Sequence, residues 1–460
     1  MNPRIFREYD IRALADIELN NIVVEMIGKA FGTYLLRLKK NSIVMGLDNR
    51  LSSPRIFCML KKGILSTGCN IIEIGETTTP VLSYALFHLN AHASAMVTGS
   101  HTPAEYNGIK FQIDKRPLSG KALFHLFEMA SEKDFILDTD TGKVSTFNIT
   151  EDYIRFVESK IFISKSMKVV IDCGNGCAGK YILNILRELG CETIPLYCES
   201  DGRFPNHHPD PAVAQNLQDL CNEVRRVNAD VGIAFDGDGN RIGVVDEEGI
   251  IVSPDILLGL FGREINNNKG TVTIVCDVKV SQGLLDDVER YGGTVKMSQT
   301  GYPFILQKIF EVNADIGGEL TGHICFNEGT FVFGDAIFVA CRLVELLSRT
   351  HLHLSELLAD FSHYISSPEI RLPCSDQLKF EVVDKISRYF SQRYKYISID
   401  GIRVLFDNGG WALIRASNTE PKISLRIEAK NIVDLLSIRT ILISQLQDAG
   451  MAAPDFPDLF

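Results

Sequence analysis

The sequence predicts an α/β protein: three similar mixed-sheet α/β domains followed by a C-terminal α+β domain. Three observations lead there. Apolar, β-branched runs ending at an Asp recur at 43–48, 168–172 and 271–277. A short phrase returns nearly unchanged, as Val227-Asn228-Ala229-Asp230-Val231-Gly232 and Val312-Asn313-Ala314-Asp315-Ile316-Gly317, with Ala91-His92-Ala93-Ser94-Ala95-Met96 in the corresponding place of the first copy. From about residue 363 the pattern changes to short strands flanked by helix-like stretches. Self-similarity of this kind marks a repeated structural unit.

In each copy the first run is followed by a polar turn, a helix-like stretch (54–66, 178–189, 281–291), a Gly and a further apolar strand. That order is the β-α-β grammar of a largely parallel sheet. The final unit reads as a helix at 376–390, strands at 401–406, 411–415 and 424–429, and a helix at 431–447, an antiparallel sheet with helices. The domains are accordingly placed at 1–147, 148–250, 251–362 and 363–460, and a chain of 460 residues has room for three to four.

Hydrophobic residues are 45% of the chain and charged residues 23%, a soluble globular balance. No apolar stretch is long enough to span a bilayer, and the polar start Met1-Asn2-Pro3-Arg4 carries no secretory core, so a cytoplasmic protein is expected. Eleven cysteines are scattered without a zinc-like double CxxC. Cys173 and Cys177 are close, but no second pair follows, and reduced, mostly buried thiols are expected. A net charge of −11 argues against a nucleic-acid partner, which needs excess Lys and Arg. It leaves room for a small anion held by a few convergent arginines.

The repeats diverge where ligands are usually held, in the loops beyond the carboxyl ends of the strands. The first copy has Thr98-Gly99-Ser100-His101, the second Asp236-Gly237-Asp238-Gly239-Asn240-Arg241, the third Glu319-Leu320-Thr321-Gly322-His323. In the second, oxygen-bearing side chains alternate with glycines, which lets Asp236, Asp238 and Asn240 aim at one point and suits Mg²⁺. The same residues are also an ordinary hairpin turn between 231–235 and 242–246. Ser100 has no G-x-S-x-G elbow, and His101 is merely its neighbour, so a hydrolase triad is not indicated. A serine sharing a divalent metal fits a phosphate carrier instead, with Arg241 to neutralise a phosphoserine. Glu319, Thr321 and His323 offer the donors and acceptors that vicinal sugar hydroxyls require. A fourth loop, Arg415-Ala416-Ser417-Asn418-Thr419-Glu420-Pro421-Lys422 with Arg426 beyond it, has the hydroxyls, amides and guanidinium groups to wrap a phosphate.

With these loops in this order, the whole chain resembles the α-D-phosphohexomutases. Within them it is most similar to the bacterial phosphomannomutase/phosphoglucomutase group, through Phe6-Arg7-Glu8-Tyr9-Asp10-Ile11-Arg12, the stretch Asp201-Gly202-Arg203-Phe204-Pro205-Asn206-His207-His208-Pro209-Asp210-Pro211, and a third loop close to GEMSGH. The resemblance implies four domains around a central cleft and reversible phosphoryl transfer between C6 and C1 of mannose and glucose phosphates. It implies a phosphoserine at Ser100, a hexose 1,6-bisphosphate as intermediate and activator, and Mg²⁺ on Ser100, Asp236, Asp238 and Asn240. His101 neighbours the carrier serine, and Lys110 and Arg12 match positions assigned to proton transfer or its support. Tyr9, Arg241, Lys279 and Tyr302 match substrate positions. Glu319, Thr321 and His323 match the sugar site, and Arg415, Ser417, Asn418, Thr419 and Arg426 the distal phosphate site. A monomer acting on small hexose phosphates, away from membranes, is expected.

Four positions depart from the pattern. Asn240 replaces a third metal Asp, Tyr302 and Leu306 stand where the group commonly has His and Lys, and Thr102 replaces an Asn. Two alternatives stay open: a catalytically weakened sugar-phosphate-binding paralogue, motivated by Asn240, Tyr302 and Leu306, and a phosphoglucosamine mutase, against which Leu320 argues because that enzyme's loop usually reads GEQSGH.

Overall fold

The repeated phrase is a helix stop joined to a strand start. In the computed structural model, which describes residues 1–138, 140–329, 332–417 and 421–451, Asn228 and Asn313 end the helices Gln218–Val227 and Tyr302–Val312 in the left-handed region, at φ 50° and 49°. Asn90 takes the same conformation, φ 49°, just beyond the helix Thr79–His88. Asn tolerates this region better than most L residues, which is why it recurs there. The Asp two residues on then locks the next strand in register. Asp230 N–H donates to the carbonyl of Lys168 at 2.9 Å, and Lys168 N–H returns to Asp230 Oδ2 at 2.7 Å. Asp315 makes the same two-way exchange with Thr273, at 2.9 Å in each direction.

Two compact units result. The first comprises Met1–Pro254 and Thr321–Leu357, the second Asp255–Leu320 and Leu358–Phe460. The first unit holds two mixed sheets. One runs in the order Ile11–Leu14, Tyr106–Ile113, Ala93–Val97, Ser42–Leu47, Asn70–Glu76, Val144–Thr146. Its last four strands are parallel, whereas Ile11–Leu14 and Tyr106–Ile113 are antiparallel additions. The other places Ile251–Val252, Ile242–Val245, Val231–Phe235, Lys168–Asp172 and Glu192–Leu196 side by side, the last three parallel. Helices Asn21–Arg37 and Ser53–Leu65 lay apolar faces on the first sheet, where Phe31 stacks on Phe111 at 4.0 Å. Val170, Leu220, Val224 and Val245 fill the corresponding layer of the second.

The second unit contains the parallel strands Thr294–Ser298, Thr273–Asp277 and Ile316–Gly318. It also holds an antiparallel sheet in the order Ile365–Ser366, Lys422–Ala429, Trp411–Ala416, Ile402–Leu405, Lys395–Ile397, with Ile370–Pro373 also paired to Lys422–Ala429. Helices Lys379–Ser391 and Ile432–Asp448 cover its apolar face, and Asn431 caps the latter by accepting the Asp434 N–H. The strands Ile365–Ser366, Ile370–Pro373 and Lys395–Ile397 have no counterpart in the sequence reading. Each is two to four residues long, too short to display an alternation. Among the described residues no helix is long and apolar enough to cross a membrane.

Within the first unit, Asp335 caps the helix Ala336–Ser348 by accepting the Phe338 N–H at 3.0 Å, and it also accepts the buried Tyr153 hydroxyl at 2.8 Å. Burial lifts this carboxyl to about 6. A carboxyl raised in the folded state favours folding in full below its unfolded value near 4, and that contribution is lost as pH climbs through 6. Tyr153→Phe removes a donor from the charged form. It should cost about 1–3 kcal/mol at pH 7 and clearly less at pH 5, as read from urea unfolding of both proteins at the two pH values. An equal loss at both would refute the Tyr153–Asp335 coupling.

Candidate active site

Ser100 follows the strand Ala93–Val97 and sits at φ 51°, a rare conformation for a residue with a side chain. Its surroundings hold it there. Ser100 N–H donates to Thr98 Oγ1 at 2.8 Å, and its carbonyl accepts Arg50 Nη2 at 2.8 Å. Arg50 is 1% exposed. Its guanidinium also donates to the carbonyls of Thr102 and Pro103, each at 2.6 Å, and of Tyr106 at 3.0 Å. One buried cation thus gathers four carbonyls of the serine loop. Asp48 Oδ2, 3.2 Å from Arg50 Nε, supplies the counter-charge and accepts the Gly99 N–H at 3.1 Å. A Cβ on Gly99 would stand 2.5 Å from Arg50 Cζ, so only glycine fits.

The hydroxyl that this scaffold presents donates to Asp236 Oδ2 at 2.8 Å, and its oxygen lies 3.3 Å from His101 Nδ1. Asp236, Asp238 and Asn240 occupy the turn between the antiparallel strands Val231–Phe235 and Ile242–Val245. The loop is a hairpin turn that also gathers oxygen-bearing side chains. Gly239, at φ 69°, makes the tight reversal. Asp236 Oδ1 accepts the N–H groups of Asn240 and Arg241 at 2.8 and 2.9 Å. Lys110 Nζ donates to Asp238 Oδ2 at 2.6 Å, and the Thr79 hydroxyl donates to the same oxygen.

These two carboxyls are fully buried and adjacent. Burial, reinforced by the charge of Asp238, lifts Asp236 to about 7. Burial would also raise Asp238, but Lys110 overrides it and holds that carboxylate ionised. Asp238 Oδ1 and Asn240 Oδ1 are buried without a hydrogen-bond partner. Buried acceptors of this kind call for a donor or a cation. Two acids, an amide oxygen and a serine hydroxyl, all hard ligands, fit Mg²⁺. Among the described residues no three His, Cys, Asp or Glu side chains form a metal cluster, in keeping with an amide at position 240.

Cations surround this point. Arg12 lies opposite Gly108 across the strand pair, on the same face as Lys110 two residues on. Arg12 Nη2 donates to Asp10 Oδ2 at 2.6 Å, and Arg241 Nη1 stands 3.9 Å from Asp210 Oδ1. His101 is pushed well below the usual imidazole range by burial and by the charges of Arg241, Arg12 and Lys110. His323 is lowered likewise, by burial and then by Arg241 and Lys110. Its loop is tied to the acidic hairpin by Ile242 N–H donating to the Gly322 carbonyl at 3.0 Å. Thr321 Oγ1 is buried without a partner, and half-buried Tyr9 lies in the turn between the bridged residues Phe6 and Ile11. The first unit thus brings together Arg12, Ser100, His101, Lys110, Asp236, Asp238, Asn240, Arg241 and His323.

The second unit carries the other group. Lys279, 3% exposed, lies 3.7 Å from Asp277 Oδ2 and 3.8 Å from Glu369 Oε2. Its carbonyl accepts Arg426 Nη1. Arg403, stacked 3.8 Å over Trp411, donates to the carbonyls of Val278 and Val280 at 2.9 and 2.7 Å, fixing the segment on both sides of Lys279. Glu319 Oε1 accepts the Gly301 N–H at 2.7 Å, just ahead of half-buried Tyr302. Leu306 is 2% exposed and supplies packing where a Lys would supply charge. Arg415 Nε donates to Asp400 Oδ2 at 2.9 Å, and the Ser417 carbonyl accepts Lys379 Nζ at 2.6 Å. Asn418 and Thr419 lie outside the described residues. Arg50, Thr79, Asp400, Arg403 and Lys379 were absent from the sequence reading, because single polar residues in unrepeated surroundings leave no pattern.

A serine hydroxyl on buried acids, ringed by guanidinium and ammonium groups on repeated α/β sheets, has the layout of a phosphoryl-transfer enzyme. Models of the phosphoglucomutase/phosphomannomutase family match the chain throughout: α/β/α domain I at residues 3–134, domain II at 151–249, domain III at 253–364, and the C-terminal domain at 369–439. The chain belongs to this family. It is 39% identical over 443 residues to a phosphomannomutase/phosphoglucomutase of Pseudomonas putida, covering 96% of this chain and 95% of that one. Identity to the Pseudomonas aeruginosa protein of the same name is 38% over 451 residues, covering 98% and 97% of the two chains. A solved structure of a phosphoglucomutase/phosphomannomutase family protein from Burkholderia thailandensis superposes with a TM-score of 0.92 at 32% identity, covering 99% of this chain and all of that one.

Arg50→Lys keeps the charge but loses the planar fork, and should cost on the order of 3 kcal/mol; a urea midpoint equal to wild type would refute the clamp. Asn240→Asp adds a third buried carboxylate. It should lower the melting temperature without metal and enlarge the rise on adding Mg²⁺, both read by thermal unfolding.

Proposed function

We propose that the protein interconverts the 6- and 1-phosphates of mannose and of glucose through a phosphoserine at Ser100. The observation that carries this reading is the Ser100 hydroxyl donating to Asp236 at 2.8 Å, with the charges of Arg12, Lys110 and Arg241 around it. In the phosphorylated enzyme a sugar hydroxyl attacks the phosphorus, the bond to Ser100 Oγ breaks, and a 1,6-bisphosphate forms. That sugar turns over and returns its other phosphate to Ser100. The transferred group stays anionic throughout, so catalysis rests on positioning and on preorganised positive charge.

Arg50 and Thr98 hold Ser100 in its left-handed turn, so the reacting oxygen is aimed before the substrate arrives. Lys110 and Arg12 serve proton transfer at the sugar hydroxyl, with Lys110 relayed to Asp238 in the resting state. His101 and His323, both kept neutral, can donate or accept without adding to the local charge. Asp236, Asp238, Asn240 and the seryl oxygen would hold Mg²⁺, which when bound supplies positive charge to the phosphoryl oxygens. Glu319, Thr321, His323, Tyr9 and Tyr302 bind the sugar. Lys279, Arg415, Ser417, Asn418, Thr419 and Arg426 take the phosphate that is not being transferred. The enzyme works as a cytoplasmic monomer on free sugar phosphates; its eleven free thiols fit a reducing compartment.

With Mg²⁺ and a hexose 1,6-bisphosphate primer, the purified protein should convert both mannose 1-phosphate and glucose 1-phosphate. Ser100→Ala should lose more than about 10³-fold in turnover while retaining the wild-type melting temperature. Failure on both sugars sinks the reading, and a higher kcat/KM for glucosamine phosphate would reassign the substrate. A sugar phosphate that binds with no phosphate exchange at Ser100 would favour a weakened paralogue, the alternative raised by Asn240.

A further inference from the structure

Cys173 and Cys198 stand just beyond the carboxyl ends of the neighbouring parallel strands Lys168–Asp172 and Glu192–Leu196. The two sulfurs are 3.3 Å apart, within van der Waals contact. Cys173 is buried and Cys198 is half-exposed, so one thiol is reachable from solvent and the other waits behind it. The third nearby thiol, Cys177, is turned toward the Asn49 backbone and is buried.

The turn from Cys173 to Cys177 is linked to both its neighbours. Asn175 N–H donates to the Tyr197 carbonyl at 2.7 Å, and Asn175 Nδ2 donates to the Glu199 carbonyl at 2.9 Å, tying it to the segment that bears Cys198. On the other side, Cys177 N–H donates to the Gly237 carbonyl at 3.1 Å, inside the Asp236–Asp238 loop. A Cβ on Gly176 would lie 2.9 Å from Gly237 Cα, so the two turns pack backbone to backbone.

We propose that Cys173 and Cys198 form an oxidation site that a small hydroperoxide converts to a disulfide, and that this cross-link disturbs the acidic loop. Cys198, as thiolate, attacks one peroxide oxygen; the O–O bond breaks, hydroxide leaves, and Cys198 carries a sulfenic acid. The Cys173 sulfur then attacks the Cys198 sulfur, the S–O bond breaks, and the hydroxyl departs as water with the Cys173 proton. Overall two thiols lose two electrons and two protons, and hydrogen peroxide becomes two waters. A disulfide is roughly 2.05 Å long, so the sulfurs must close by about 1 Å. That pull falls on the turn whose other end holds Gly237.

The test uses full-length protein treated with dilute hydrogen peroxide, alkylated, digested and mapped by mass spectrometry. A cross-linked Cys173–Cys198 peptide pair should form ahead of oxidation at any other cysteine. It should vanish with dithiothreitol and be missing from Cys198→Ala and from Cys173→Ser. Sulfinic acid on Cys198 without a cross-link, or a disulfide between other cysteines, would overturn the assignment. The coupling to the acidic loop rests on the phosphoryl-transfer reading, whereas the cross-link does not. Cross-linked protein should show a several-fold lower kcat/KM and a smaller stabilisation by Mg²⁺, both restored by dithiothreitol. A cross-link that leaves both unchanged would overturn the coupling.

Discussion

Everything at the serine loop depends on one buried guanidinium. Removing Arg50 from water is costly unless its charge and donors are matched, and the protein answers with four carbonyls on the two terminal nitrogens and the charge of Asp48 beside Nε. The constraint runs in both directions. The loop must curl around the guanidinium for its carbonyls to converge, and that curl puts Ser100 in the left-handed region with its hydroxyl toward Asp236. Gly99 is glycine because Arg50 leaves no room for a Cβ. The position of the reacting oxygen is therefore set by packing formed during folding, with little left for the substrate to organise.

A second balance governs the acidic loop. Two buried carboxyls cannot both ionise cheaply, and Lys110 decides the matter by pairing with Asp238 and leaving Asp236 near neutrality. The chain as a whole is acidic, yet the groups facing Ser100 are mostly cationic. An anionic ligand entering there meets local charge opposite in sign to the surface average.

The scaffold was legible because it repeats. The Asn that stops a helix and the Asp that locks a strand are required twice over by backbone geometry, so Asn228–Asp230 and Asn313–Asp315 stand out in one sequence. The polar loops could be read because they interrupt that repetition at equivalent points. What escaped was whatever acts across distance. Arg50 lies about fifty residues from the serine it holds, and Arg403 more than a hundred from the carbonyls it binds. The sulfur contact between Cys173 and Cys198 was hidden for the same reason, because it joins two loops that only the parallel pairing of their strands makes adjacent.

Trp411 has a use beyond holding Arg403. It is the chain's single tryptophan, fully buried in the second unit, with its indole N–H donated to Glu428 at 2.8 Å and a guanidinium on its face. Its emission consequently reports on that unit alone, while circular dichroism sums over both. Comparing the two signals along one denaturation curve separates the unit bearing Lys279 and Arg415 from the unit bearing Ser100, with no label and no substitution.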